Sequence, residues 1–381
     1  LDSCLSGVSR LCGNRLTDSC CEELASVISA NPRLASLDLG NNELTDCGLA
    51  SLYTQLGKRE CRLERLGLRN NQLTSESGQI LASGIAASWT LTHLDLNDNS
   101  LEDSGLSHLY PILGNPNCKI QVLKLESNNL TAGCCEGLAS ALSQHWTVRD
   151  LHLNFNTFQD SGLESLLGKM VNPACHLHTL RLSDTNLTSR SGSALADALR
   201  SNPDLNWLDI SNNDLGNDGA EMVFKALAEP KCQIEKLWLQ STSLTWASCE
   251  ALANFLRVTH TLTMLFLKDN KIGDQGVKIF SSALKESYCQ LQALRLDGTG
   301  LTDDCMEDLT AALSTKQSLT ELTLPYNSIS DASINALSQF ITSSPNLREI
   351  RLRANKFTSE GNKRLESLGS SRPGLIVSVG H

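Results

Sequence analysis

The sequence predicts an α/β solenoid in which each turn contributes one parallel strand and one helix, and three observations carry that prediction. An eleven-residue shape, L-x-x-L-x-L-x-x-N/T-x-L, begins at Leu34, Leu63, Leu91, Ile120, Val148, Leu177, Leu205, Ile234, Leu262, Leu291, Leu319 and Leu347. Its steps alternate between 29 and 28 and close on a pair of the shorter kind. A period sustained over so many copies marks a repeat array, and such an array lengthens without splitting into globular domains. The third observation is the switch inside every unit from period-2 alternation to helical spacing.

The elements follow in chain order. Residues 1–33 hold a degenerate first copy around Leu11–Leu16, where the leucine positions are eroded, as in a capping or truncated repeat. Residues 34–346 carry the regular leucine-rich repeats. In each, the second and third leucines alternate with polar residues, the signature of a strand buried on one face. The turn residue that follows is Asn42, Asn71, Asn99, Asn128, Asn156, Asn213, Asn270, Asn327 or Asn355, replaced by Thr185, Thr242 and Thr299. Stacked turn upon turn, these amides are expected to satisfy backbone groups of neighbouring repeats. A helix comes next: Cys135, Leu138 and Leu142 fall at i, i+3 and i+7. Gly48, Gly105, Gly162, Gly219 and Gly276 recur in every second repeat where helix and turn backbones are expected to approach closely, and the Asp, Ser and Thr before them suit helix N-caps. Residues 347–381 are the last repeat and a cap, in which Leu375–Val379 reads as a closing strand. The whole, 1–381, reads as one repeat domain, a horseshoe with strands on the concave face and helices on the convex one. The N-terminus looks cut and the C-terminus native.

Composition narrows the function. A net charge of −10 argues against a nucleic-acid binder, whose footprint is basic. No apolar run approaches the roughly 18 residues of a membrane span, and the first thirty residues do not read as a signal peptide. Of the 14 cysteines, Cys61, Cys118, Cys175, Cys232 and Cys289 recur in every second repeat and Cys21, Cys135 and Cys249 in every fourth. Equivalent positions two or four repeats apart lie roughly 10–20 Å apart, beyond disulfide reach, so they read as small buried hydrophobes in a reducing compartment. If a few of them were oxidised, the vicinal pairs Cys20–Cys21 and Cys134–Cys135 would be the first to react. Catalytic constellations are thin: no phosphate loop, no H-E-x-x-H and no C-x-x-C occurs. Cys175, His176 and His178 flank a core leucine at a strand start and are not read as a metal site. No catalytic, cofactor-binding or metal-ligating residue is expected.

The 29/28 alternation, the N/T ladder, starts such as CRLERLGL and CHLHTLRL, and LTAGCCEGLASAL at Leu130–Leu142 resemble the ribonuclease-inhibitor type of leucine-rich repeat over essentially the whole chain. That type is shared by the cytosolic ribonuclease inhibitor and by the C-terminal repeat domains of NOD-like receptors. The resemblance implies a cytoplasmic, non-catalytic protein-binding domain. On the receptor reading it is a sensing or autoregulatory arm folding against a nucleotide-binding module of the same parent chain. On the inhibitor reading it grips a basic ribonuclease in its concavity.

Function is expected on the strand face that the leucines leave free. Trp207, Asp209, Lys236, Trp238, Gln240, Met264, Phe266, Lys268, Arg295 and Tyr326 are the candidate partner-binding residues. Trp207, Trp238, Met264 and Phe266 fall on three consecutive strands, a coincidence of large apolar side chains that suits a protein-binding hot spot. Trp89, Trp146 and Trp246 read as structural. Acids and bases nearly balance across the concavity. The inhibitor's tyrosine–aspartate pair on its last full strand is replaced by Arg353–Ala354, and although Trp238 matches a tryptophan position of the inhibitor, Gln240 stands beside it. These departures favour the receptor arm.

Overall fold

The computed structural model describes residues 8–31, 33–56, 62–286 and 288–380. The chain groups into two compact units, Leu1–Asn186 and Leu187–His381. In the first unit the order is β1 (Val8–Arg10), α1 (Cys21–Ala30), β2 (Ser36–Asp38), α2 (Asp46–Leu56), β3 (Arg65–Gly67), α3 (Glu76–Ser88), β4 (His93–Asp95), α4 (Glu102–Ser107), α5 (Tyr110–Leu113), β5 (Val122–Lys124), α6 (Ala132–Gln144), β6 (Asp150–His152), α7 (Gln159–Met170) and β7 (Thr179–Arg181). The second unit runs α8 (Ser191–Ser201), β8 (Trp207–Asp209), α9 (Gly216–Leu227), β9 (Lys236–Trp238), α10 (Cys249–Val258), β10 (Met264–Phe266), α11 (Gly273–Glu286), β11 (Ala293–Arg295), α12 (Met306–Leu313), β12 (Glu321–Thr323), α13 (Ile334–Ser343), β13 (Glu349–Arg351), α14 (Ser359–Ser370) and β14 (Ile376–Ser378). Within each unit every strand pairs in parallel with its successor. This is the predicted leucine-rich repeat solenoid, and both the eroded first copy and the closing segment Ile376–Ser378 supply a strand.

Each strand is only three residues long because one residue per turn has to face the helices. Leu66, Leu94, Leu237 and Leu265 take that middle place and are at most 3% exposed, while their two neighbours point to the open face. The asparagine ladder is the second fixture. Asn99 accepts the N–H groups of Asn71 (3.2 Å) and Leu73 (3.3 Å), and its Nδ2 donates to the carbonyls of Leu68, Leu96 and Asn97 at 3.0–3.1 Å. One side chain thus pairs buried backbone groups of two repeats, as unpaired ones would be costly. At the threonine turns the hydroxyl bonds first to its own strand: Thr242 Oγ1 donates to Leu239 O at 2.8 Å, with a longer contact of 3.4 Å to Asn270 Oδ1 of the next repeat, and Thr299 Oγ1 donates to Leu296 O at 2.7 Å. Their N–H groups are taken by the asparagine of the next repeat, at 3.1 Å in both cases.

The helix starts depart from expectation in one respect. Thr131, Thr245, Thr302, Ser330 and Thr358 do cap the turns they precede. Aspartates such as Asp274 and Asp303 instead clamp the following repeat. Asp274 accepts the Thr302 N–H at 2.8 Å and its hydroxyl at 2.6 Å, and Asp303 accepts the Ser330 N–H at 2.9 Å and hydroxyl at 2.6 Å. Burial pushes both carboxyls up, but the donated bonds outweigh it and hold both below the usual carboxylate range. A carboxyl depressed in the folded state contributes stability above its unfolded value near 4, lost as pH falls through the folded value. The thermal midpoint is therefore expected to fall below about pH 4, and an Asp274→Ala, Asp303→Ala double variant to show a shallower fall in a pH series of melting curves.

The recurring glycines sit where the prediction put a close approach. A Cβ at Gly105 would lie 2.8 Å from Ser75 Cα, and one at Gly219 3.0 Å from Ser189 Cα, both backbone atoms of the preceding repeat. Cys118, Cys175 and Cys289 are buried and Cys232 half-buried; Cys61 lies outside the described residues. Cys134 and Cys135, the pair named as first to react if any were oxidised, are at most 1% exposed, and the bond and charge of Cys135 together with burial push the Cys134 thiol far up. Burial likewise raises Cys21 to about 12, so at neutral pH Cys21 and Cys134 carry almost no nucleophilic thiolate.

Candidate protein-interaction face of the second unit

Register decides which of the candidate residues meet. On β8 to β11 the pairing sets Trp207 against Lys236, Lys236 against Met264, and Met264 against Ala293; one step along, Asp209 pairs with Trp238, Trp238 with Phe266, and Phe266 with Arg295. Since matching places recur once per repeat, large side chains that share one become lateral neighbours about 4.8 Å apart. Their rings then stack. Trp238 lies against Phe266 with centroids 5.2 Å apart and planes 18° off parallel, and it meets Trp207 edge-on at 4.9 Å. The Arg295 guanidinium covers the Phe266 ring at 4.2 Å and is anchored by Glu321 Oε1 at 2.9 Å. Lys236 Nζ sits 4.5 Å over the Trp207 ring. Each of these arrangements is favourable for a ring quadrupole.

This packing sorts the candidates. Phe266 is only 4% exposed and Asp209 2%, so they support the row from beneath. Asp209 accepts the Ser211 N–H at 3.1 Å. Trp207, Trp238, Met264, Lys236, Gln240 and Lys268 remain half-buried and form the accessible surface. Tyr326 stands apart at the rim after β12, 71% exposed and with φ +57°, a backbone region costly for a bulky side chain. Lys268 lies 3.6 Å from Asp269. Of the tryptophans read as structural, Trp146 is buried at 8%, whereas Trp246 is 50% exposed at the start of the turn into α10.

Sequence reasoning missed the carboxylate network of this face. Thr323 donates its hydroxyl to Asp297, whose carboxyl burial nevertheless pushes above the usual range. Arg351 holds Glu349 with two bonds, at 2.7 and 3.1 Å. Pairing Asp297 with the small Thr323 one strand on was the available signal.

The first unit carries a different open face. A cavity of ≈ 350 Å³ opens over Gly67, walled by Asp38, Arg65, Arg69, His93 and Lys124. Burial, and next the charge of Arg65, hold His93 below its usual value. Beside it Glu126 is half-enclosed by Asn97 and Asn154, each donating at 3.0 Å, with Arg181 at 3.3 Å and His152 at 3.5 Å. These polar groups bind one another across strands and leave no aromatic row.

Parallel strands with helices behind and aromatic and charged side chains in front define a leucine-rich repeat protein-interaction fold. The leucine-rich repeat family model matches residues 88–109, 147–167, 174–196, 201–224 and 259–280. The pig ribonuclease inhibitor is 33% identical over 358 residues, 94% of this chain and 78% of that protein. The human NACHT, LRR and PYD domains-containing protein 12 is 37% identical over 302 residues, which is 79% of this chain but 28% of its relative's length. The chain thus belongs to the ribonuclease-inhibitor type of leucine-rich repeat protein, a type that the repeat regions of NACHT, LRR and PYD proteins share. Among solved structures, the yeast Rad7–Elc1 complex superposes with a TM-score of 0.57 at 16% identity, covering 99% of this chain and 92% of that one. An internalin from Listeria monocytogenes gives 0.54 at 16%, covering 95% and 93%. Both speak to the fold alone. Among the described residues no helix is long and apolar enough to cross a membrane.

Proposed function

We propose that the chain is the sensing and autoregulatory repeat arm of a cytosolic NOD-like innate immune receptor, binding protein through the open strand face of its second unit. The row Trp207–Trp238–Phe266 carries this reading, because the leucines already fill the core and a second apolar line on the outer side is what a contact surface needs. The partner within reach of such an arm is a nucleotide-binding module of the same parent chain. A phosphate-loop sequence upstream in the same reading frame would support this, and an initiator methionine directly before Leu1 would sink it.

Trp238→Ala is the direct test. Binding of the upstream nucleotide-binding module, measured by calorimetry, is expected to weaken by about 30-fold or more, as for a central hot spot. The thermal midpoint should move by only about 2–4 °C, since the ring lies outside the leucine core. Collapse of the fold would make Trp238 structural and remove the proposed face.

A second reading, an inhibitor gripping a basic ribonuclease, is favoured by the coverage of the pig inhibitor. Titration against a pancreatic-type ribonuclease separates the two: absence of inhibition at micromolar protein disposes of it.

A further inference from the structure

We infer that the face of the second unit takes an acidic protein segment, one that sets a bulky apolar side chain against Trp238 and carboxylates against Lys236 and Arg353. This rests on the contact face proposed above and adds the chemistry of its occupant. Although the chain as a whole is acidic, this face is balanced, with Lys236, Lys268, Arg295, Arg351 and Arg353 against Asp209, Asp269, Asp297, Glu321 and Glu349, and what differs is which charges are left accessible. Every carboxylate there is already engaged. Glu321 is held by Arg295 at 2.9 Å, Glu349 by Arg351 at 2.7 Å, Asp297 by Thr323, Asp269 by Lys268 at 3.6 Å, and Asp209 by the Ser211 N–H at 3.1 Å. Two cations are not engaged in this way. Among the described residues no carboxylate lies within 4.0 Å of Lys236, whose ammonium rests on the Trp207 ring, nor of Arg353, which is exposed two residues past β13.

A partner therefore meets aromatic surface flanked by two cations that no carboxylate holds, while the carboxylates of the face are already bound. A basic segment would have to displace Arg295, Arg351 or Lys268 to reach Glu321, Glu349 or Asp269, and finds Asp209 buried and Asp297 bound by Thr323, whereas an acidic one adds pairs at Lys236 and Arg353, where none exist. Screening at physiological salt limits the repulsion of distant acids to about 8 Å, so the local pattern decides. The spacing is informative too. Lys236 on β9 is in register with Glu349 on β13, four strands or about 19 Å away, and Arg353 lies four residues further along, about 13 Å, so about 23 Å separates them on the diagonal, which an extended segment crosses in about seven residues. The apolar anchor belongs at the Lys236 end, beside Trp238.

Selection of a random 12-residue peptide phage library on the purified chain tests this. The expected outcome is enrichment of peptides with a Trp, Phe or Leu close to one Asp or Glu and a second acid about seven residues away. Binding of the synthetic peptide should weaken about 10-fold in both Lys236→Glu and Arg353→Glu and be lost in Trp238→Ala, with melting curves of the two charge variants unchanged. Enrichment of Lys- or Arg-rich peptides that still need Trp238, or indifference of the acidic ones to either charge reversal, overturns the inference and leaves the contact face standing. Selected peptides that bind equally to Trp238→Ala, or no enrichment at all, overturn both.

Discussion

Replacing Asn270 with alanine is expected to destabilise the second unit by about 3–5 kcal/mol, the largest effect of any polar substitution in it. Asn270 is 2% exposed. Its Oδ1 accepts the N–H groups of Thr242 at 3.1 Å and Leu244 at 2.9 Å, and its Nδ2 donates to Leu239 O at 2.7 Å and Leu267 O at 2.9 Å. Alanine would leave those backbone groups buried and unpaired, each costing about 1–3 kcal/mol, partly recovered if water enters. Hydrogen exchange should report it: the Thr242 and Leu244 amides lose protection first. Asn270→Thr is the informative control, because Thr242 and Thr299 occupy the equivalent turn. Its hydroxyl can reach Leu267 O but cannot take two N–H groups from the previous repeat, so an intermediate loss is expected. A thermal midpoint equal to that of the natural chain would show that the ladder contributes nothing.

Leu237→Ala should cost about 2–5 kcal/mol, as a core truncation that leaves a cavity. Leu237 is 0% exposed, and its neighbours Leu208 and Leu265 in the register are at most 1% exposed. Because repeats stack on their neighbours, a hole there loosens the turns to either side. Chemical denaturation with tryptophan emission suits this test, since Trp238 is the next residue and reports the same strand. The contrast with Trp238→Ala is the decisive comparison: adjacent residues on one strand, one expected to lose stability with binding of the surviving folded fraction kept, the other the reverse. Equal destabilisation by both would mean that the outer row is as structural as the core.

Much of this was legible in the residues. The repeat starts, the strand and helix in each unit and the stacking of the asparagines follow from a pattern in which period and residue type agree. The close approach at Gly105 and Gly219 was readable for the same reason, since only a missing Cβ explains a glycine at that interval. Less legible was the role of Asp274 and Asp303. A sequence shows an aspartate before a helix, which suits a cap, but whether its carboxylate turns to its own helix or to the next repeat depends on the lateral step between turns. How deep Cys134 and Cys135 lie was equally hidden, because vicinal spacing says nothing of how closely a helix face is packed.

The candidate face divides along the same line. By itself the sequence determined that Trp207, Lys236, Trp238, Met264 and Phe266 point away from the leucine core, because alternation along a strand leaves them no other side. Only the tertiary structure decided that Phe266 is closed off between Trp238 and Arg295, that Asp209 lies buried, and that Glu321, Glu349 and Asp269 are taken by neighbouring cations while Lys236 and Arg353 are left without a carboxylate. Side-chain direction is local, fixed by the period of the strand. Exposure and pairing belong to neighbours a whole repeat away along the chain, and the spacing of about 4.8 Å between strands is what turns a list of outward residues into a surface with a sign.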